Sequence, residues 1–158
     1  MGTAKDWDQQ RAAEIIDAHR EVDGAALPIL HALQEAFGHI PEDVVPLIAH
    51  ALNLSRAEIH GIVTFYHDFR RAAPGRHVLK LCRAEACQSV GGDALAEHAQ
   101  ARLRVGWGET TGNGALTLEP VFCLGLCACG PAAMLDGQAL GRLDRRRLDT
   151  LLDAAVVR

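Results

Sequence analysis

Through the first half of the chain, apolar residues recur three and four positions apart, the spacing of one helical face. In "LPILHALQEAFGHIP", Leu30, Leu33 and Phe37 share such a face, Gly38 stands where the helix should end, and Pro41 stands where the next should open. "DQQRAAEIIDAHR" reads as a polar amphipathic helix, and "PEDVVPLIAHALNL" continues in the same style. "LSRAEIHGIV" places Ser55 and Glu58 at capping-box spacing, which predicts a fourth helix from Ser55. Short helices with apolar stripes must pack on one another or on a neighbour.

The texture changes after "RRAAPGRH", residues 70–77, where Pro and Gly together mark a linker. "HVLKLC" reads as a strand ending at Cys82, "GGDALAEHAQARLRV" as a helix, and "GALTLEPVFC" as a strand ending at Cys123. "AAMLDGQALGRL" reads as a hairpin turning at Asp136 and Gly137, and "DRRRLDTLLDAAVV" as a last helix capped by Asp144. A β-α-β unit followed by a hairpin and a helix is the order of a small thioredoxin-like layer fold. The expected class is therefore α+β, with a small N-terminal helical bundle over residues 1–72 and a thioredoxin-like α/β domain over 73–158. No internal repeat or low-complexity tract interrupts either part.

Composition narrows the setting. The 158 residues are 49% hydrophobic and 23% charged, as in an ordinary globular protein. A chain of that length buries about 68–70% of its unfolded surface as one unit, so it needs no cysteine staple. The formal charge is −4, and the densest basic run, "RLDRRRLD", is broken by aspartates and leucines, which argues against nucleic acid as the main partner. Neither an apolar leader at the start nor a membrane-length apolar run is visible, so a cytoplasmic location is expected, where lasting disulfides are uncommon.

Sulfur is the candidate chemistry. Cys82 and Cys87 bracket "CRAEAC", and Cys123 and Cys127 bracket "CLGLC", each pair beginning where a predicted strand ends. Two parallel strands with loops at the same sheet end would bring the pairs together. A thioredoxin-type dithiol wants C-x-x-C at a helix start, which is absent. A disulfide framework leaves one of five cysteines over, and no histidine lies beside either pair for Rieske ligation. Structural zinc and unliganded packing thiols stay open beside an iron-sulfur centre, which two separated pairs favour in its 2Fe-2S form. Gly125 would let the second loop turn tightly with amide N–H groups towards sulfur, and a helix beginning near Ser89 would aim its positive end at the first pair. Cys129 is expected to be a small buried residue beside Gly130 and Pro131.

"CRAEACQSVGG" followed by "GETTGNGALTLEPVFCLGLCACGPAAMLDG" resembles the thioredoxin-like 2Fe-2S ferredoxin family, which includes the 24-kDa subunit of respiratory complex I. "LPILHALQEAFGHIPEDVVPLIAHALNLSRAEIHGIVTFYHDF" resembles the helical module of the same family, so the likeness covers nearly the whole chain. By matching position, the resemblance implies one 2Fe-2S cluster on Cys82, Cys87, Cys123 and Cys127. Complex I subunits typically carry Thr-Gly-Thr-Ala between the first two cysteines. Arg83 to Ala86 here, with "CLGLCACGPAAM", look more like the gamma subunit of soluble molybdenum-dependent NAD-dependent formate dehydrogenases. That likeness implies an electron-carrying, non-catalytic subunit beside two partners, a flavin (FMN) and NAD-binding diaphorase subunit and a formate-oxidising large subunit. Further Fe-S clusters and a molybdenum cofactor would sit on those partners. A complex I or NAD-reducing hydrogenase subunit is the alternative within redox chemistry, and a zinc-stapled interaction module the alternative outside it.

The remaining motifs agree with a carrier. "GWGETTG" has one residue too many for G-x-G-x-x-G and runs into a predicted strand, so a turn is expected rather than a dinucleotide site; G-x-S-x-G and H-E-x-x-H are absent. "HGIVTFYHDF" concentrates aromatic residues either to pack the helical module or to dock on the flavin-carrying partner.

Overall fold

The computed structural model describes residues 7–157; the first six residues of the expected N-terminal module and Arg158 lie outside the described residues. The chain divides into two compact units, Met1–Ala73 and Pro74–Arg158.

The first unit holds α1 (Gln9–His19), α2 (Ala26–Phe37), α3 (Val44–Ala51) and α4 (Arg56–Phe65). Each boundary has a local cause. Asp8 accepts from the Gln10 amide at 2.9 Å to cap α1. Gly38 closes α2 in the left-handed region (φ +79°), its N–H donating to the Gln34 carbonyl at 2.7 Å. At Ser55 the capping box is complete: the Glu58 amide donates to Ser55 Oγ at 3.2 Å, and the Ser55 amide donates to Glu58 Oε2 at 2.8 Å. The helix after Pro41 opens three residues later than expected, at Val44, because residues 41–43 form a turn closed by the Val44 amide on the Pro41 carbonyl. Ile16, Leu30, Leu33, Phe37, Ile48 and Ile59 meet in one apolar core. Gln34 ties the segment after α4 back to α2, donating to the Asp68 carbonyl and accepting from the Arg70 amide, each at 2.7 Å.

The second unit holds β1 (His77–Cys82), α5 (Glu85–Gln88), α6 (Gly92–Leu103), β2 (Glu109–Thr110), β3 (Leu116–Val121), β4 (Ala133–Leu135), β5 (Gln138–Leu140) and α7 (Arg145–Val157). Its sheet runs β2-β3-β1-β4-β5, with β1 and β3 parallel and the other pairs antiparallel. Leu79, Leu81, Leu116 and Leu118 are buried against Ala96 and Ala99 of α6 and Leu148 and Leu152 of α7. The hairpin turns at Asp136 (φ +49°) and Gly137 (φ +85°), both left-handed as a type I′ turn requires. Asp136 also accepts from the Val78 amide at 2.8 Å, so the turn is fastened to β1. Asp144 caps α7 through the Arg147 amide at 2.7 Å. Between α6 and α7, His98 meets Asp149 at 2.7 Å and Arg102 meets Asp153 at 2.5 Å.

One consequence of this topology positions the site. Ala133 pairs with both Leu81 and Leu140, so β1, β3 and β5 all finish at the same end of the sheet. The loops after β1 and β3 and the N-terminus of α7 therefore share that end. Among the described residues no helix is long and apolar enough to cross a membrane.

Candidate metal centre

At the shared end, Cys82 is the last residue of β1 and stands in register with Val121, the last of β3. Its amide donates to the Ala132 carbonyl at 3.0 Å, and the Arg83 amide to the Val121 carbonyl at 2.7 Å. The β3 strand stops at Val121, two residues before the expected end at Cys123. Cys123 takes φ +138°, a conformation that leaves the sheet and that an apolar run such as "PVFC" does not signal. The helix expected near Ser89 opens at Gly92 as α6, and Cys87 lies on a separate single turn before it, α5, which the sequence reading did not expect.

The first pair is packed. Cys82 is 4% exposed and Cys87 1%, and with Ala132 they form a small apolar cluster lined by Ala84, Val121, Leu124 and Leu126. Gly92 makes that fit possible, since a Cβ there would stand 2.6 Å from the Cys87 carbonyl oxygen. Gly130 approaches from the other side; its Cβ would lie 3.4 Å from Cys87 Sγ. The second pair is exposed and shaped by its backbone. Gly125 adopts φ +72° and donates its N–H to Cys123 Sγ at 3.3 Å, the tight turn expected of that glycine. Cys123 Sγ and Cys127 Sγ are 3.8 Å apart. Cys129, at the end of the 3-10 turn Cys127–Cys129, is half-buried rather than buried.

The four thiols act on one another. Burial, first, and then the hydrogen bond with Cys82 push the Cys87 thiol above its ordinary range, with a further push from Cys127. The Cys127 thiol is pushed up chiefly by its hydrogen bond with Cys123, and Cys82 adds to this. The Cys87 and Cys127 thiols, both pushed up by their neighbours, would be stabilised as thiolates by a bound cation such as iron. Among the described residues, no three His, Cys, Asp or Glu side chains gather in a group fit for one metal ion. Each of the two cysteine loops supplies a pair of sulfurs, which suits a binuclear iron centre with two protein sulfurs on each iron. The donor set therefore fits a 2Fe-2S cluster.

Asp93, Trp107 and Gln88, which the sequence reading did not single out, support the first loop through Arg83. Arg83 donates to Asp93 at 2.9 Å and lies over the Trp107 ring at 5.5 Å, while its carbonyl accepts from Gln88 Nε2 at 2.7 Å, so it braces the first loop. "GWGETTG" forms a turn leading into the short strand β2, with the Gly106 amide on Glu109 at 2.6 Å. In the first unit "HGIVTFYHDF" divides: Ile59, Val63 and Phe69 are buried, whereas Phe65 is 73% exposed and makes an edge contact with Tyr66.

The family model for the thioredoxin-like [2Fe-2S] ferredoxins matches residues 12–156. One NADH-quinone oxidoreductase subunit of Rhizobium meliloti (strain 1021) is 37% identical over 130 residues, covering 82% of this chain and 77% of the relative. The HndA subunit of an NADP-reducing hydrogenase from Solidesulfovibrio fructosivorans is 24% identical over 143 residues, covering 90% of this chain and 84% of the relative. Among solved structures, an NAD+-reducing [NiFe]-hydrogenase in the H2-reduced state superposes with a TM-score of 0.70 at 27% identity. That likeness covers 82% of this chain but only 22% of the hydrogenase chain.

Proposed function

The chain belongs to the thioredoxin-like [2Fe-2S] ferredoxin family, and we propose from that membership that it is the electron-transfer subunit of a soluble, cytoplasmic NAD-linked oxidoreductase complex. Cys82, Cys87, Cys123 and Cys127 hold one 2Fe-2S cluster in this reading, and no substrate chemistry falls to the chain itself. The observation that carries it is the meeting, at one end of the sheet, of two cysteine pairs that bias each other's thiols. When bound, such a cluster accepts and passes on a single electron. The protein's part is to orient and insulate. Leu124, Leu126 and Ala132 keep water from the first pair, and the Gly125 amide offers a hydrogen bond to sulfur. The exposed second pair leaves one face open for exchange with a partner.

Residues 1–72 and 73–158 act in this reading as two domains, the cluster being carried by the second. The exposed Phe65 in the first favours docking over packing for that side chain, with the flavin and NAD-binding subunit as its partner.

The finer assignment is the gamma subunit of an NAD-dependent formate dehydrogenase, beside a formate-oxidising large subunit; its support is "RAEA" between Cys82 and Cys87. A second reading, a subunit of an NADH-quinone oxidoreductase or an NAD-reducing hydrogenase, is favoured by the names of the relatives. The complex purified anaerobically through a tag on this chain separates them. Formate should reduce its iron-sulfur clusters and so bring up their EPR signals, and molybdenum should co-purify. Reduction by hydrogen with co-purified nickel, or quinone-reducing activity without molybdenum, contradicts the formate assignment.

A further inference from the structure

The arginine run that opens α7 is unexplained by folding. Arg142, Arg145, Arg146 and Arg147 are all exposed, and the first turn of α7 contains no acidic residue. Cations at a helix N-terminus oppose the macrodipole and destabilise that end of the helix. Only Arg147 has an evident structural task, donating to the Gly141 and Arg142 carbonyls at 2.9 and 2.7 Å. Among the described residues the side chains of Arg142 and Arg146 make no ion pair, and Arg145 acts weakly on Asp149, whose carboxylate is already engaged by His98 and Arg102. Asp144, the one carboxylate within the run, is occupied as the helix cap.

The run sits at the metal end of the sheet. The Arg142 amide donates to the Cys129 carbonyl at 2.5 Å and the Leu143 amide to the Pro131 carbonyl at 2.9 Å. Arg142 holds φ +51°, and a Cβ on Gly141 would stand 2.9 Å from Cys129 Cβ, so the run is pressed against the loop that carries the exposed pair. We propose that Arg142, Arg145 and Arg146 form an electrostatic docking surface, beside Cys123 and Cys127, for the acidic face of an electron-transfer partner. The proposal rests on the electron-carrying reading above. A chain of net charge −4 repels an acidic partner at long range. A cationic patch at the point of exchange reverses the field within a Debye length, about 8 Å at physiological ionic strength, and steers encounter towards the exposed sulfurs.

The test compares the variant Arg142→Gln/Arg146→Gln with the control Arg76→Glu just before β1, at the opposite end of the strand from Cys82. Each changes the formal charge by two, from −4 to −6 (−4 − 2 = −6), so the total charge is matched while its place differs. The reduced, cluster-loaded chain gives one electron to ferricyanide, an anion, or to hexaamminecobalt(III), a cation. At low ionic strength the patch variant should lose about three-fold or more against ferricyanide and gain against the cobalt complex, both effects fading with added salt. Equal shifts in patch variant and control, or none in either, overturn the proposal. The apo chain reads the same field without iron, through the ratio of iodoacetate to iodoacetamide alkylation at Cys123 and Cys127. That ratio should fall in the patch variant alone, and an unchanged ratio overturns the patch. A fall in a chain that takes up no iron leaves the patch standing and overturns the electron-carrying reading instead.

Discussion

The two cysteine loops reach the same end of the sheet by different physical means. Cys82 and Cys87 are fixed by packing: they are buried with Ala132, with Gly92 and Gly130 pressed close against Cys87. Cys123 and Cys127 are fixed by torsion: positive φ at Cys123 and Gly125, an amide on sulfur, and open solvent around them. The difference teaches that one half of the centre is part of the folded core while the other is a surface feature hung from it. Damage to the first should cost the fold as well as the metal. Damage to the second should cost the metal alone.

Serine substitution of the four cysteines gives the largest contrast. Each of the four variants should lose most of its iron, read by metal analysis and visible absorption. Cys87→Ser should also lower the stability of the apo chain by about 1–3 kcal/mol, because a hydroxyl replaces sulfur in an apolar pocket. Cys127→Ser, at an exposed site, should leave apo stability within about 0.5 kcal/mol. Cys129→Ser should keep the cluster. Equal spectra for the Cys123, Cys127 and Cys129 variants would contradict the ligand assignment.

The glycines refine the same contrast. Gly92→Ala forces a Cβ to within 2.6 Å of the Cys87 carbonyl oxygen, an overpacking that costs about 1–3 kcal/mol in denaturant unfolding. Gly125→Ala meets no atom within 4 Å but must hold φ +72°, at about 1–2 kcal/mol. Its effect should appear mainly as faster cluster loss. If Gly92→Ala were neutral, packing would not be what holds the first loop.

A smaller effect should come from the contact between α6 and α7, away from both loops. Asp149, between α6 and α7, is held below the ordinary carboxylate range first by its hydrogen bond with His98 and further by the Arg102 charge. A carboxyl with a depressed folded pKa contributes stability that is full above its unfolded value, about 3.9, and is lost as pH falls through the folded value. The melting temperature of the apo chain should therefore drop in strong acid, and Asp149→Asn should reduce that drop. An unchanged acid profile in the variant would mean that the Asp149 contact with His98 and Arg102 does not stabilise the fold.

Where a feature depends on neighbours in sequence, it was legible. The capping box at Ser55, the Gly38 stop, the turn at Asp136 and Gly137 and the end of β1 at Cys82 all follow from local spacing and torsional preference. The sequence reading left Phe65 open between packing and docking, although it lies off the stripe set by Ile59 and Val63 and is exposed. What was hidden is tertiary or very short. A four-residue α5 and a two-residue β2 are too brief for periodicity to register. The need for glycine at 92 arises from the Cys87 backbone packed against it. The unequal burial of the two pairs comes from what the sheet end is packed against, which no spacing of cysteines encodes.

The most direct measurement is metal, sulfide and EPR analysis of the anaerobically purified chain. A red-brown protein with iron and acid-labile sulfide in equal amounts, and a rhombic EPR signal on one-electron reduction, is the expected result. A colourless protein carrying zinc and silent in EPR after reduction would contradict the account.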